Sequence, residues 1–335
     1  MFNDVKINFE DSPSNFWNLY NNFVSNFEFI HPFYCESNFV YEKEYFSQNI
    51  KNSSNKSFIL KEDNTIYFAF LGIITTDQEN NNKLSYFAKP CFSLNIDELS
   101  KHQKKTIEKT IISILSEFKG QFELHDYYFE SKFTYLSEFL LLNYDTKVDC
   151  IFKNIIDLKK DIKLLKANVR KSYKSLINWG IREQNITLYT HENIEKKLIN
   201  DFKSLHIMQA KKQTRNDATW DSQYKSIKDG QAFMAAGYRD GEMITAGYFL
   251  MSKSLCYYFS SASMRDLFDK PLFHSLMWSS IVFAKNLGIK FFEVGNVITK
   301  NQELLKSEKQ ILVSKFQSGF GGQFQTQFLI SHLFK

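Results

Sequence analysis

Glycine and proline are both scarce in this chain, which holds twelve of one and four of the other in 335 residues. No Gly/Ser-rich or Pro-rich stretch is long enough to serve as a linker, which excludes a string of independent domains and predicts lobes in close contact. Cysteine is equally rare. Cys35, Cys91, Cys150 and Cys256 stand far apart, with no CxxC pair and no histidine at ligand spacing. Neither a zinc centre nor any other bound metal is expected, nor a disulfide framework, and the thiols read as reduced, buried small side chains. No apolar run reaches the roughly 20 residues of a membrane-crossing helix. The opening residues MFNDVKINFED lack the basic start, apolar block and cleavage site of a secretory signal, so the cytoplasm is the expected compartment. Charge of one sign is not abundant either: a net +5 fits an anionic partner without making the chain a nucleic-acid binder by composition.

What is present is an ordinary globular balance, 43% hydrophobic and 24% charged, at a length that favours two domains. Periodicity in the second half predicts a strand over Asn185 to Thr190 and a helix over Glu192 to Lys212, then a helix over Trp220 to Lys228. Three β-type runs follow, QAFMAAGYR, EMITAGYFLM and SLCYYFSSA, the first two joined by Asp240-Gly241, a strong hairpin signal. Pro271 then opens a helix that Gly288 stops. IKFFEV reads as a buried strand, Leu304 to Lys315 as a helix and QFQTQFLI as a closing strand.

The first half repeats this order in weaker form. VKINF is a strand, and Ser14 to Phe27 and Phe39 to Ile50 are helices. KSFILK, TIYFAFLGII and KLSYFA form the meander. Lys101 to Phe118 is a helix, QFELHDYYF a strand, Lys132 to Leu142 a helix and TKVDCIF the closing strand. The boundary is expected near Lys153 to Lys160, giving lobes of 1–155 and 156–335.

This element order resembles the GNAT acyltransferase fold. The segments CYYFSSASMRDLFDKPLFHSLMWSSIVFAKNLGIKFFEVGN and SKFQSGFGGQF resemble the C-terminal part of the Fem-like aminoacyltransferases within that superfamily. The resemblance implies an α/β (α+β) protein of two tandem GNAT-like lobes, each a mixed sheet flanked by helices. It also implies transfer of an acyl group, often an aminoacyl group from charged tRNA, to an amine of a cell-wall or surface-glycan precursor.

Such a reaction needs a neutral amine, donors for a developing oxyanion and cations for phosphates. Lys163, Lys166, Arg170 and Lys174 are spaced as one basic stripe on a helix, either a solvated face or, with Ser172 and Tyr173 beside Arg170 and Lys171, a phosphate site. Arg215 and Trp220 lie in or beside a loop between helices, where GNAT-like folds form the acceptor site. Glu293 follows two phenylalanines on a buried strand, so it is either a proton acceptor for the amine or half of an ion pair. One of Tyr257 and Tyr258 must face the cleft and the other the core; Tyr257 is the candidate. His274 reads as a helix-surface or core-edge residue.

The run SGFGG follows a helix and precedes a strand, the reverse of a phosphate cradle, so Gly319 reads as a helix C-cap in a turn that lines the site beside Phe316. The Fem-like pattern has lysine after the phenylalanine; here Gln317 stands there and Lys315 precedes Phe316. Gln317 as amide donor and Lys315 as displaced cation are both candidates. MRDLFDKPLFH, where acyl-CoA enzymes of this fold hold pyrophosphate, contains no glycine, which weakens the case for a CoA donor. No tightly bound cofactor is expected; the donor is acyl-CoA or aminoacyl-tRNA, and the acceptor a nucleotide- or lipid-linked amino-sugar or peptide precursor. The alternative is a catalytically silent module that docks RNA or another anionic partner through the basic helix.

Overall fold

The computed structural model describes residues 4–126, 133–267 and 269–335. The chain begins with β1 (Asp4–Asn8), α1 (Pro13–Val24), α2 (Glu36–Phe46), β2 (Ile50–Asn55), β3 (Phe58–Glu62), β4 (Thr65–Leu71), β5 (Ile73–Asp77), β6 (Asn82–Ser85) and β7 (Cys91–Asn95). It continues through α3 (Lys101–Ser116), β8 (Gly120–Asp126), α4 (Tyr135–Asn143), β9 (Lys147–Asp157), α5 (Ile162–Asn168), α6 (Lys171–Glu183), β10 (Asn185–Tyr189), α7 (Lys196–Ala210) and α8 (Asp217–Lys228). It closes with β11 (Ala232–Arg239), β12 (Glu242–Met251), β13 (Leu255–Ser263), α9 (Leu272–Asn286), β14 (Phe291–Val297), α10 (Lys300–Glu303), α11 (Glu308–Gln317) and β15 (Gln323–Phe334).

Two compact units result. One comprises Met1–Phe27, Phe46–Ile151 and Thr326–Lys335, the other Glu28–Tyr45 and Phe152–Gln325. The division is therefore not the single cut near residue 155 that the sequence suggests.

In the first unit the strand order is β1, β3, β4, β7, β8, β15. Neighbours are antiparallel except β7 and β8, which run parallel at Cys91↔Leu124 and Phe92↔His125. Strand β8 alternates, burying Phe122 and Leu124, and α3 buries Ile107, Ile111 and Leu115 at four-residue spacing behind a Ser100/Gln103 capping box. These side chains join Phe58, Phe68 and Phe70 in one core. The third meander strand is β7, in CFSLN, rather than KLSYFA, whose residues in β6 pair with β5 and run parallel to β8. The end of the strand expected over QFELHDYYF and the start of the helix expected at Lys132 lie outside the described residues.

Asp4, Glu62 and His102 converge in this unit, each offering a ligand atom within 4.8 Å of the others. Asp4 already accepts from Thr106 (2.8 Å) and Tyr67 (3.2 Å), and Glu62 from Gln103 (2.8 Å), so the group ties β1 to β3 and the start of α3.

The second unit has the order β10, β11, β12, β13, β14, β9. Again a parallel pair, here β13 with β14, is followed by an antiparallel closing strand. Asp240 and Gly241 turn β11 into β12 with φ of 52° and 80°, both in the left-handed region, as a type I′ hairpin requires. Helices α6 and α9 pack together over a core containing Ile177, Phe233, Phe249, Leu276, Ile281 and Phe292.

The two strand orders match position by position, so both units carry the GNAT-like arrangement. The strands that close the two sheets, however, run past the segments the sequence offered. TKVDCIF, expected to close the first lobe, runs into β9, whose residues from Phe152 to Asp157 pair with β14, while QFQTQFLI, expected to close the second, opens β15, whose residues from Phe328 to Phe334 pair with β8.

Two helices also differ from expectation. The basic helix is interrupted, because Val169 (ψ 136°) and Arg170 (ψ 134°) are extended. Val169 is buried, and the Arg170 N–H donates to the Gly319 carbonyl at 2.9 Å, a bond that a continuous helix would forfeit. Lys163 and Lys166 therefore belong to α5 and Lys174 to α6, and no single stripe forms. The helix expected over Leu304 to Lys315 begins only at Glu308, as α11, behind a Ser307/Gln310 capping box, and the separate short helix α10 ends before Leu304.

Candidate functional site

Strands β13 and β14 pair at Leu255↔Phe291, Cys256↔Phe292 and Tyr257↔Glu293. Beyond that level no pairing between them is found among the described residues, although β13 continues to Ser263 and β14 to Val297. The cause lies in their outer partners. The β12–β13 register slips between Tyr248 and Phe249, and the β14–β9 register slips between Glu293 and Gly295, so both strands bend where they part. A wedge opens past Tyr257 and Glu293, edged by backbone of Tyr258–Ser263 on one side and Val294–Val297 on the other. Ligands of open α/β sheets bind at such carboxyl ends.

Glu293, at the level where the strands separate, is 1% exposed. Its carboxylate meets Lys153 Nζ at 3.0 Å and His31 Nε2 at 3.2 Å. Burial alone would raise its pKa, but the Lys153 charge, followed by His31, outweighs this and holds the group down at about 2. His31 Nδ1 accepts the Phe33 N–H at 3.2 Å, which orients the ring so that Nε2 is turned toward the Glu293 carboxylate. Between the two sequence alternatives, the geometry is that of the ion pair, because a carboxylate held at this pKa is a weak proton acceptor.

Tyr257 packs against His31 (5.0 Å) and Phe33 (4.8 Å), and burial, then the Glu293 charge, pushes its phenol well above the usual range. Tyr258 faces the opposite side, against Phe249 and Phe273, with its hydroxyl bonded to Ser261. Sequence reasoning missed Lys153 and His31. A lysine inside TKVDCIFKN was a readable signal; His31, more than 250 positions from Glu293, offered none.

A second group meets the first on β14. The Gln317 side chain lies over Gly295 so closely that a Cβ there would fall 2.3 Å from its Nε2. Asn154 Nδ2 donates to the Gln317 carbonyl (3.3 Å) and the Gly321 carbonyl (2.8 Å), pinning the turn. Gly319 is not a left-handed cap, since Ser318 closes α11 in an α-type conformation. It must be glycine because a Cβ would sit 2.1 Å from the Tyr173 ring. Left-handed backbone begins at Gly321 (φ 88°). Tyr173 packs edge-on against His274 (4.5 Å) and Phe320 (5.3 Å) and at a tilt to Phe316 (6.0 Å), so His274 and Phe316 belong to an aromatic cluster at the core edge. A cleft of about 310 Å³ lies beside this turn, lined by Asp157, Lys160, Asn168, Gly321 and Gln323 among others.

Most of the expected phosphate-binding cations are committed elsewhere. Arg170 donates to the Lys315 carbonyl (3.1 Å) at the end of α11 and lies over the Tyr173 ring at 4.9 Å. Lys174 donates to the Ala167 carbonyl (3.0 Å) at the end of α5, and Lys166 lies 4.4 Å from the Trp278 ring centre. Lys315 reaches Glu303 at 3.8 Å. Lys171 is exposed in the first turn of α6.

Arg215 and Trp220 form a third group. Arg215 is 6% exposed, donates to the Tyr41 hydroxyl at 2.9 Å and stacks on Trp220 at 4.0 Å. His206 abuts Trp220, and burial, then the Arg215 charge, lowers its pKa to about 4. Phe259 bridges Tyr41 (4.9 Å) and Tyr257 (6.3 Å), which joins this group to the Glu293 cluster.

No protein-family profile matches the sequence, and no curated protein does. Solved structures do. FemX superimposes with a TM-score of 0.69 at 10% identity, covering 93% of this chain and 95% of its own. The C-terminal domain of a putative lysylphosphatidylglycerol synthetase from Agrobacterium fabrum gives 0.54 at 8% identity, over 78% and 80%. A tandem GNAT protein from the clavulanic acid pathway gives 0.51 at 8% identity, over 99% and 98%. The chain has the fold shared by FemX and tandem GNAT proteins, as the sequence resemblance implied.

Proposed function

We propose that the chain is an N-acyltransferase of cell-envelope biogenesis, moving an acyl or aminoacyl group onto an amine of a cell-wall or surface-glycan precursor. The observation that carries this reading is the wedge where β13 and β14 part at Tyr257 and Glu293. Its unpaired strand edges supply fixed backbone N–H groups for a donor carbonyl and for the oxyanion that develops there. In the transfer, the amine nitrogen attacks the donor carbonyl and the C–O or C–S bond to the leaving group breaks. The proton lost by nitrogen goes, through solvent, to the departing alkoxide or thiolate. Glu293, Lys153 and His31 fix the wall beside Tyr257, and Gln317 reaches the same strand at Gly295.

The start of α9 favours aminoacyl-tRNA over acyl-CoA as donor. The N–H groups of Leu272 and His274 already donate to the Lys270 (2.9 Å) and Pro271 (3.3 Å) carbonyls, and Pro271 has no N–H to offer a pyrophosphate. Likeness to a lysylphosphatidylglycerol synthetase domain supports an aminoacyl group as well. A docking module without chemistry gains little, because Arg170, Lys166 and Lys174 are occupied within the fold. The test is mass spectrometry of reactions containing candidate amine precursors with either charged tRNA or acetyl-CoA. An aminoacyl mass gain with tRNA is expected, an acetyl gain would reassign the donor, and no gain with either would refute the reading.

A further inference from the structure

The turn joining α10 to α11 carries Leu304 and Leu305 at 90% and 83% exposed, and α11 adds Leu312 at 58% and Val313 at 44%. A single exposed leucine needs no explanation, but adjacent leucines projecting this far, followed by two more apolar residues on the next helix, form a feature that does. Cations flank them. Glu303 is held between Lys300 (3.4 Å) and Lys315 (3.8 Å), while Lys306 and Lys309 are exposed with no ion pair recorded among the described residues. Glu308, the one other acid of the segment, sits in the first turn of α11, where the helix dipole favours it.

We propose that this turn is a membrane-surface anchor, with Leu304 and Leu305 entering the acyl boundary of an anionic bilayer and Lys306 and Lys309 remaining at the headgroup phosphates. Apolar side chains at a projecting tip, ringed by unpaired lysines, match the two signals that stable interfacial binding requires, buried apolar area and attraction to anionic lipid. No helix of the described chain is long and apolar enough to cross a membrane, so this contact is peripheral. A second copy of the chain fits the tip less well. Like-charged lysines would meet across a two-fold axis, and a patch of this size falls short of the roughly 1,000 Å² a specific protein interface buries.

The proposal does not rest on the transferase reading. If both hold, they select a lipid-linked acceptor over a nucleotide-linked one, because α11, about 15 Å long, runs from the anchor to Gln317.

The test is co-sedimentation of the full chain with vesicles of phosphatidylcholine alone or with about 30% phosphatidylglycerol, at low and high salt. The chain is expected to bind the anionic vesicles, less so as salt rises. Leu304→Ser with Leu305→Ser should weaken partitioning by about tenfold or more at unchanged thermal stability, and Lys306→Glu with Lys309→Glu should abolish the preference for anionic lipid. As a separate reading, Leu305→Trp should show a blue-shifted fluorescence component on adding anionic vesicles. Failure of the unmodified chain to bind, undiminished binding by the leucine variant, or no shift in the tryptophan variant would each overturn the proposal. So would a dimer in sedimentation equilibrium that the leucine variant dissolves.

Discussion

Lys153 and Glu293 face one another at 3.0 Å from adjacent antiparallel strands, with side-chain exposures of 12% and 1%. Removing one partner strands the other charge. Glu293→Gln should destabilise the fold by about 3 kcal/mol, and Lys153→Met combined with Glu293→Gln by markedly less than the two single changes together. Urea unfolding of the three variants measures the coupling; additive losses would mean that the pair contributes nothing as a pair.

The same carboxylate sets an acid limb. Its folded pKa, about 2, lies below the ordinary glutamate value of 4.5. Its contribution to stability is therefore complete above pH 4.5 and is lost as the pH falls toward 2. Stability of the unmodified protein should drop more steeply across that window than that of Glu293→Gln, as followed by thermal melts at stepped pH.

Gly319→Ala tests the close approach to Tyr173. The added methyl would lie 2.1 Å from a ring carbon, and the ring is confined by His274 and Phe320. A loss of about 2 kcal/mol is expected. Tyr173→Leu in the same chain should recover part of it, whereas a glycine required only as a cap would not be rescued.

Arg170 and Lys171 should separate cleanly, although they are neighbours. Arg170→Ala forfeits the bond to the Lys315 carbonyl and should cost about 1 kcal/mol of stability. Lys171→Ala should leave stability unchanged and weaken binding of a polyanionic donor in a salt-sensitive manner. Unfolding curves and binding titrations at two salt concentrations distinguish them.

At the terminal motif, Gln317→Ala should lower transfer about 100-fold, as loss of one oriented donor would. Lys315→Ala should do little, because its ammonium is directed toward Glu303. Gln317→Lys is expected to keep or raise activity. Activity lost in Lys315→Ala but kept in Gln317→Ala would reverse these roles.

Much of the second unit was legible in the sequence because its signals are local. Alternating runs, the Asp240-Gly241 turn and a glycine after α9 each act within a few residues. The parting of β13 and β14 was not legible, since it depends on register slips at Phe249 and Gly295 that arise between strands. The break at Val169 was hidden too: a leucine- and lysine-rich segment reads as continuous helix until the Gly319 carbonyl claims the Arg170 N–H. His31 was assigned by position to the first lobe, and only the fold brings its ring to Glu293. TKVDCIF and QFQTQFLI each contain the point where one strand passes from one unit to the other, at Ile151 and at Gln325, and nothing local in either run marks that passage.

The passage of the closing strands between units sets a timetable for the growing chain. During vectorial synthesis, β9 is already available when β14 leaves the ribosome, so the second sheet can zip shut as soon as its own strands exist. The first sheet cannot. Asp126 must wait for Phe328, roughly 200 positions later, and until then β8 carries an open edge able to pair with any other nascent strand. Release of a chain that stops before Thr326 would leave that edge permanently unpaired, which makes the first unit the portion most in need of a chaperone.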